Sequence, residues 1–257
     1  MAISRPTAIL RSLSNPEFLA AGTAVQDLMH PDRVLIGSSP HPRGHRAAGL
    51  LADIYAAWVP RARILATNVW SSELSKLVAN AMLAQRISSI NSISAICEET
   101  GADIDEVAAA IGSDARIGDK FLKAGIGFGG SCIKKDVLSL VYLAVSLGLH
   151  DVGEYWRQVV MMNEHQRGRF SRRVVRCLDS TLVGKKITFL GVAFKANTSD
   201  MRESPMLDIL KTLLEEQPRE AAIFDPRCHP AVVRREIETF LDAQDADSAA
   251  ESTIAVT

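Results

Sequence analysis

The 257-residue sequence contains little of what marks membrane, secreted or nucleic-acid-binding proteins. No apolar run reaches the ~18 residues of a membrane span, and the N-terminal region lacks the apolar core of a signal peptide. The formal net charge is only -1, which predicts neither a nucleic acid nor a membrane surface as a partner. The one marked basic cluster, from Arg167 to Arg176, has the pattern of a solvated helix face.

Cysteine is also scarce. The four cysteines, at positions 97, 132, 177 and 228, include no Cys-x-x-Cys pair. Their wide spacing predicts neither a metal site nor a disulfide framework, and it favours a reducing compartment, the cytoplasm. Hydrophobic residues make up 47% and charged residues 23%, as is typical of a soluble globular protein. At ~100–200 residues per domain, the length allows two domains or one domain with part of another.

The N-terminal part of the sequence has a strand–helix–strand pattern. Buried strands are predicted at 32–37 and 63–67, with a helix at 46–58 between them. No Gly-x-Gly-x-x-Gly turn precedes this pattern. Residues 1–69 are therefore predicted to form the later half of a dinucleotide-binding, Rossmann-like domain, without its first half.

The middle of the sequence, residues 70–180, is predicted to be all-helical. Its first helix begins at a cap formed by Ser71 or Ser72 and runs to about Glu99, where Gly101 ends it. About thirty residues at 1.5 Å each make this helix roughly 45 Å long, which is typical of a spine between domains or a dimer interface. Further helices are predicted at 104–111, 137–147 and 154–178, the last with Asp151 as its cap.

Residues 181–257 are predicted to begin a second doubly wound domain. Strands are expected at 186–194 and 221–226, and Ser204-Pro205 opens the helix between them. The stretch from Asp242 to Ser252 is rich in Asp, Ala and Ser, which predicts a disordered or frayed tail. The fold class is therefore α/β: a partial Rossmann-like N-terminal segment, an all-α central domain with a long spine helix, and a partial second doubly wound domain.

The stretch from Gly125 to Asp136 carries the clearest chemical signal. Four glycines in six residues permit positive φ and close approach of the backbone to a ligand, and Cys132 follows almost directly. The apolar helix pattern that comes next places Cys132 near a helix N-terminus, where thiolate is favoured, as in nucleophilic cysteines. Asp136, four residues on, shares its helix face. The alternative is a tight glycine turn with a structural thiol.

Three other polar residues gain meaning only in combination. Lys76 and Asn80 are four residues apart on the predicted long helix, so their side chains converge on one face. Glu17 follows the turn at Asn15-Pro16. Taken singly, each of the three is predicted to be an exposed surface residue.

Together, these residues lie in four motifs that resemble one family, the UDP-glucose/GDP-mannose dehydrogenases. The motifs are Ser14-Asn15-Pro16-Glu17-Phe18-Leu19, Glu73 to Ala81, Gly127-Phe128-Gly129-Gly130-Ser131-Cys132 with Lys135-Asp136, and Gly191-Val192-Ala193-Phe194-Lys195 with Asp200 and Arg202-Glu203-Ser204. They occur in the family's order and spacing and cover about residues 14–226. The sequence is most similar to the eukaryotic members that oxidise UDP-glucose.

This resemblance implies an enzyme that oxidises UDP-glucose to UDP-glucuronate with two NAD⁺ in succession. Cys132 would form a thiohemiacetal and then a thioester with the sugar. The first hydride transfer is assigned to Lys76, Asn80 and a water held by Asp136, and hydrolysis of the thioester to Glu17 with Asp136 and that water. The catalytic residues implied by the resemblance are Cys132, Glu17, Lys76, Asn80 and Asp136.

The resemblance also implies a set of binding residues, and it implies no metal. Substrate contacts fall on Glu17, Phe18, Leu19, Ala20, Lys76, Asn80, Arg116 from a neighbouring subunit, Lys123, Ala124, Gly125, Gly127, Phe128, Gly129, Phe194 and Lys195. Contacts to NAD fall on Ala21, Cys132, Lys135 and Arg202. For Arg202, an ordinary salt bridge with Asp200 or Glu203 is an equal alternative. The family's assembly through the long helix predicts a homo-oligomer, with residues 71–100 at the interface.

The sequence departs from the family pattern in ways that affect the cofactor. The family's Gly-x-Gly-x-x-Gly turn and ribose-binding acid are absent from the sequence, and Ala21 stands where the family has a second acid. We therefore expect no measurable NADH production from this polypeptide by itself. The alternatives are a catalytically inactive remnant that keeps the dimer interface, and a sibling dehydrogenase acting on another nucleotide sugar.

Overall fold

The fold is described by a computed structural model that covers residues 13–243 and 253–256. Contacts within the chain divide it into two compact units, residues 1–79 and residues 80–257. The first unit contains β1 (Leu13–Ser14), α1 (Ala24–Met29), β2 (Val34–Ser38), α2 (Pro42–Tyr55), a 3-10 turn (Arg61–Arg63), β3 (Ile64–Asn68) and the start of α3 (Val69–Thr100). The second contains the rest of α3, α4 (Ile104–Gly112), α5 (Ser131–Ser146), α6 (His150–Cys177), β4 (Lys186–Leu190), α7 (Pro205–Leu214), β5 (Glu220–Phe224), α8 (Pro230–Asp242) and β6 (Thr253–Val256).

The first unit is built on a three-stranded sheet in the order β1-β2-β3. β2 and β3 are parallel, with Val34 opposite Ile64, and β1 is antiparallel to β2. All five residues of β2 are buried, because α2 packs over the apolar sheet residues. This confirms the predicted strand–helix–strand pattern. α2 begins earlier than predicted because a proline, whose fixed φ suits the first turn, starts it.

The long helix α3 is confirmed, but its predicted start is wrong. It follows β3 without a loop, and the Asn68 side-chain oxygen accepts the N–H of Ser71 at 2.8 Å, so neither predicted serine is the cap. Ser72 is instead fully buried, and its hydroxyl accepts a hydrogen bond from the Ser14 hydroxyl at 2.9 Å. At the other end α3 stops before Gly101, whose φ of +78° ends the helix as predicted.

In the second unit, α5 and α6 pack against each other and against α3. The shared core consists of small and branched aliphatic side chains around one aromatic ring: Ala81, Ala84, Phe128, Val137, Leu140, Val159 and Val160. α6 begins at His150, so Asp151 lies in its first turn and the predicted cap is wrong. An acid in the first turn still interacts favourably with the positive end of the helix dipole.

The C-terminal sheet has the order β4-β5-β6, and all three strands are parallel. Ser204 caps α7 as predicted, its hydroxyl accepting the N–H of Met206. The sequence prediction did not include α8 or β6, which add a further helix and strand to this domain. The predicted tail at 242–252 overlaps the end of α8 at Asp242, and from residue 244 it lies outside the described residues.

These elements confirm the predicted α/β fold with an all-helical segment between two Rossmann-like parts. The predicted domain boundaries at 69/70 and 180/181 stay predictions. In the part of the chain that the structure describes, no helix is both long and apolar enough to cross a membrane.

Candidate active site

Cys132 lies in the first turn of a helix, close to where the sequence places it. α5 starts at Ser131, and Gly130, with φ +89°, is its N-cap residue. The thiol is exposed. An exposed thiol at a helix N-terminus is in the setting in which nucleophilic cysteines occur, because unpaired N–H groups and the helix dipole favour thiolate there.

Three glycines before Cys132, at positions 127, 129 and 130, are required by packing within the protein. A Cβ on Gly127, whose φ is +101°, would lie 2.3 Å from Oδ1 of Asn163 in α6. A Cβ on Gly129 would lie 2.5 Å from Cδ of Pro205, and one on Gly130 would lie 2.9 Å from the Phe194 ring. The glycine segment, residues 125–130, is therefore enclosed by α6 on one side and by the β4–α7 connection on the other.

Three backbone N–H groups of this segment already have partners in the protein. Gly125 donates to Oδ1 of Asn91 at 2.9 Å, and Phe128 donates to Oδ1 of Asn163 at 2.8 Å. Gly130 donates to the carbonyl of Glu203 at 3.2 Å. These amides hold the segment in place, whereas the sequence argument gave the glycine amides a ligand-binding purpose.

One turn beyond Cys132, Asp136 forms a buried pair with Asn80. Asn80 Nδ2 donates to Asp136 Oδ2 at 2.6 Å, and Asp136 is only 5% exposed. Lys135 is exposed, with its Nζ 3.8 Å from the other carboxylate oxygen. The structure thus joins two of the predicted catalytic residues, with an exposed thiol and a buried carboxylate on successive turns of α5.

In the first unit, two other predicted catalytic residues, Glu17 and Lys76, form a pair that the sequence did not predict. Lys76 Nζ donates to the Glu17 carbonyl at 2.6 Å and lies 3.1 Å from its carboxylate. The Phe18 ring is flanked by two cations, with Arg33 at 3.9 Å and Lys76 at 5.5 Å from its centroid. Glu17, Phe18, Leu19 and Ala20 line a cleft of about 350 Å³. Glu17 is exposed, as predicted for it taken singly, whereas Lys76 is half-buried and bound to Glu17, so the exposed position predicted for Lys76 is wrong.

A second cleft, of about 430 Å³, lies beside the β4–α7 connection and is lined by Gly127, Phe194, Lys195 and Arg227 among others. Asp225, after β5, shapes its wall by accepting the N–H groups of Val192, Ala193, Arg227 and Cys228. Burial acts to raise the pKa of Asp225, but the four backbone hydrogen bonds outweigh it and hold the pKa below its ordinary value.

The two predicted arginines are both paired with acids two residues earlier. Arg202 binds Asp200 through two nitrogens, at 3.0 and 2.7 Å, which is the salt bridge given above as its alternative role. Its pKa is raised chiefly by these hydrogen bonds, with smaller contributions from Cys132 and Glu236. Arg116 binds Asp114 in the same way and is 89% exposed.

The remaining predicted contact residues are mostly on the surface. Ala20, Ala21, Lys123 and Gly125 are exposed, and Ala124 is half-buried. Among the hydrogen bonds of the described residues, Ala20 donates its N–H to Asp27, and Gly125 is bound by Asn91 and Gln166.

Sequence reasoning missed the polar side chains of α6 that hold the glycine segment. It predicted a solvated face from Arg167 to Arg176, but Arg167 is 5% exposed and Arg169 is half-buried, so that prediction is wrong for both. A signal was present: Asn163 and Arg167 fall in the apolar stripe that contains Val159 and Val160. Polar residues in such a stripe must find buried partners.

Within residues 13–243 and 253–256, no group of three or more His, Cys, Asp or Glu side chains could hold a metal ion. All four cysteines are free. The chemistry available at α5 is therefore that of a thiol, a carboxylate and an amide.

Comparison with known families identifies three successive matches. They are the NAD binding, central and UDP binding domains of the UDP-glucose/GDP-mannose dehydrogenase family, at residues 8–59, 70–165 and 188–257. The chain belongs to the UDP-glucose/GDP-mannose dehydrogenase family. Cys132 and Asp136 lie in the central-domain match, and Phe194 and Lys195 lie in the UDP binding match.

Individual relatives agree with this assignment. The chain is 58% identical over 224 residues to UDP-glucose 6-dehydrogenase of Bos taurus, covering 87% of this chain and 45% of the relative. It is 55% identical over 235 residues to that of Caenorhabditis elegans, covering 91% and 49%. A UDP-glucose dehydrogenase structure from Pyrobaculum islandicum matches with a TM-score of 0.79 and 34% identity, covering 95% and 52%. The chain thus spans about half the length of these relatives.

Proposed function

We propose that this chain carries the thiol and sugar-binding chemistry of an NAD-dependent UDP-glucose 6-dehydrogenase, which converts UDP-glucose to UDP-glucuronate. The observation that carries the proposal is the exposed Cys132 at the start of α5, with the buried Asp136–Asn80 pair one turn below it. The relatives named UDP-glucose 6-dehydrogenase support the choice of substrate.

In the first oxidation, the C6 alcohol of the sugar loses a hydride and a proton to become an aldehyde. Negative charge develops on the oxygen, so a cation or an amide donor lowers the barrier. We assign this role to Lys76 and to Asn80. Asp136, buried and hydrogen-bonded, would hold the water that takes the proton.

In the second oxidation, the Cys132 sulfur adds to the aldehyde carbon, and the thiohemiacetal then loses a second hydride to give a thioester. One water hydrolyses the thioester, which returns the thiol and releases the carboxylate. Thioesters hydrolyse more readily than oxygen esters under nucleophilic attack, so a cysteine suits this position better than a serine. Glu17 is assigned to assist the attacking water, with Asp136.

NAD⁺, when bound, supplies the hydride acceptor for both steps. The exposed cations Lys135 and Arg202 fit an anionic cofactor. We assign contacts with NAD⁺ to four residues: Lys135, Arg202, Cys132 and Ala21. Gly125, Gly127 and Gly130 have Gly-x-Gly-x-x-Gly spacing but do not follow a strand, so no pyrophosphate contact is assigned to them.

For the substrate, the cleft beside the β4–α7 connection suits the nucleotide. Lys195 offers a cation for the diphosphate and Phe194 an aromatic face. We assign further contacts to residues 17–20 and 123–129, and to Arg116 of a second copy, since that side chain extends into solvent. A homo-oligomer formed through α3 is part of this proposal. A free nucleophilic thiol also suits a reducing compartment such as the cytoplasm.

The proposal is tested by alkylation of Cys132 in the presence of the 6-aldehyde of UDP-glucose. At ten times its dissociation constant, the aldehyde should slow iodoacetamide alkylation of Cys132 by about tenfold, because it occupies the thiol in most molecules. Peptide mass spectrometry reads each cysteine separately. Exposed Cys177 is the internal control and should react at an unchanged rate.

Native mass spectrometry should detect the aldehyde adduct on the native chain and not on Cys132→Ser. If UDP-glucose binds but its 6-aldehyde does not slow alkylation of Cys132, the enzymatic proposal is contradicted. The inactive, sugar-binding alternative is then favoured. Stronger shielding by the aldehyde of GDP-mannose would instead identify a sibling dehydrogenase. NADH release is not needed for this test, and its absence from the isolated polypeptide stays a separate prediction.

A further inference from the structure

The glycine segment, residues 125–130, is attached to α6 at two residues: Gln166 donates to the Gly125 carbonyl at 2.7 Å, and Phe128 is bound through both of its backbone polar groups. Asn163 accepts the N–H of Phe128 at 2.8 Å and donates to its carbonyl at 2.9 Å. The same carbonyl accepts a second hydrogen bond, from Nη2 of Arg167, at 2.5 Å. Phe128 is therefore fixed at both backbone polar groups, four residues before Cys132.

Arg167 also connects α6 to α7. Its Nη1 donates to the carboxylate of Asp208, which lies in the first turn of α7. The Arg167 side chain is 6% exposed and that of Asp208 is 44% exposed. A buried guanidinium needs a compensating charge, so the position of α7 and the position of the Phe128 carbonyl are linked through one side chain.

The other side of the glycine segment forms part of the β4–α7 cleft. Pro205, the first residue of α7, packs on Gly129, and the Phe194 ring packs on Gly130. Gly127, Phe194 and Pro205 all line that cleft. A ligand in the cleft therefore contacts the residues that also determine where α5 begins.

We propose that Arg167 is a positioning residue, through which occupation of the β4–α7 cleft by a nucleoside diphosphate orders the first turn of α5 and activates Cys132. The inference rests on the proposed function only for the identity of the nucleotide. Arg167 touches neither the cleft nor the thiol among the contacts described. It acts by holding Phe128 and Asp208 in one arrangement.

The test measures iodoacetamide alkylation of each cysteine with and without UDP. UDP lacks the sugar, so it does not cover Cys132 as the aldehyde of UDP-glucose would. In the native chain, UDP should raise the Cys132 rate by about two- to fivefold, the range expected when a helix N-terminus is better formed around a thiolate. In Arg167→Met, the rate without UDP should fall by a similar factor, and the response to UDP should disappear.

Arg167→Met leaves both hydrogen bonds between Asn163 and the Phe128 backbone and the one from Gln166 to the Gly125 carbonyl, so the segment stays attached to α6. Arg172→Met, an exposed arginine on the same helix, is the matched control and should behave as the native chain. Buried Cys97 and Cys228 report unfolding, and they should stay unreactive in both variants. A purely structural role for Arg167 would expose them together with Cys132.

The inference is overturned if Arg167→Met has the same Cys132 alkylation rate and the same response to UDP as the native chain. If Arg167→Met exposes Cys97 and Cys228, a second variant, Asp208→Asn, takes its place. It removes the ion pair between Arg167 and Asp208 from the more exposed side, and it should abolish the UDP response. Exposure of the buried cysteines in both variants would make Arg167 a folding residue and also overturn the inference. If calorimetry detects no UDP binding, the proposed function fails, while the comparison without UDP still tests the positioning role.

Discussion

At the scale of single residues, the glycine segment shows two separate reasons for glycine. Gly127 combines a positive φ of +101° with a side-chain oxygen where its Cβ would lie. Gly184 has a positive φ of +74° but open space around it, and Gly125 has neither constraint. The three positions therefore separate the cost of backbone conformation from the cost of a steric clash.

We expect alanine to destabilise the protein least at Gly125, more at Gly184 and most at Gly127. Gly125→Ala should change the free energy of unfolding by less than about 0.5 kcal/mol, as surface substitutions do. Gly184→Ala should cost about 1–2 kcal/mol, the penalty of a left-handed conformation. Gly127→Ala should cost about 3 kcal/mol or more, because a clash with Asn163 is added. Urea denaturation followed by circular dichroism measures all three, and equal losses for Gly127→Ala and Gly184→Ala would contradict the packing argument.

At the scale of elements, the end of β5 is joined to the end of β4 by one carboxylate. Asp225 accepts four backbone N–H groups, of which Val192 and Ala193 follow β4. Parallel strands place their carboxyl ends at the same edge, so one acid after β5 can satisfy the amides of the neighbouring turn. The same edge forms the wall of the proposed nucleotide cleft.

This arrangement predicts a pH dependence of stability. The pKa of Asp225 is lower in the folded chain than its ordinary value of 3.8, so folding favours the ionised form. Its contribution is therefore fully present above that ordinary value, and it is lost as the pH falls through the lowered, folded-state pKa. Asp225→Asn should be less stable than the native chain by a constant amount between about pH 5 and pH 7, and the difference should shrink below about pH 4.

Urea denaturation of both chains at several pH values gives this difference directly. Glu238→Gln, which removes an exposed acid of α8, serves as the control for the change in net charge. A difference between native chain and Asp225→Asn that is as large at pH 3 as at pH 7 would show that the carboxylate charge is not what stabilises the turn.

At the scale of the whole molecule, α3 presents an apolar face that the described chain leaves exposed. Met82, Ile93 and Ile96 are 50%, 37% and 57% exposed. At 100° per residue they fall within an arc of roughly 60°, so they share one side of the helix. An exposed apolar stripe on a long helix is typical of an interface, and here it lies within the residues proposed to form a homo-oligomer.

We expect the double substitution Met82→Glu, Ile96→Glu to weaken self-association at least tenfold, because each charge would have to be buried without a partner. Sedimentation velocity over a concentration series measures the assembly. Val232→Glu, an apolar residue of α8 that is 43% exposed, is the matched control and should leave assembly unchanged. Unchanged assembly of the double variant would place the interface elsewhere.

The sequence by itself determined the order of helices and strands, the long helix, and the place of Cys132 at a helix start. These features depend on hydrophobic periodicity and on glycine and proline, which act over a few neighbouring residues. Its motifs also brought together Asn80 and Asp136, although spacing alone would have left Asn80 on the surface.

Only the tertiary structure decided what the buried polar groups bind. Asn163 and Arg167 meet Phe128 from 35 and 39 residues away, and Arg167 meets Asp208 from 41 residues away. α8 and β6 were missed because their burial depends on a sheet that assembles from distant strands. The apolar stripe of α6 marks Arg167 as buried, but its binding partners belong to elements that come together only on folding.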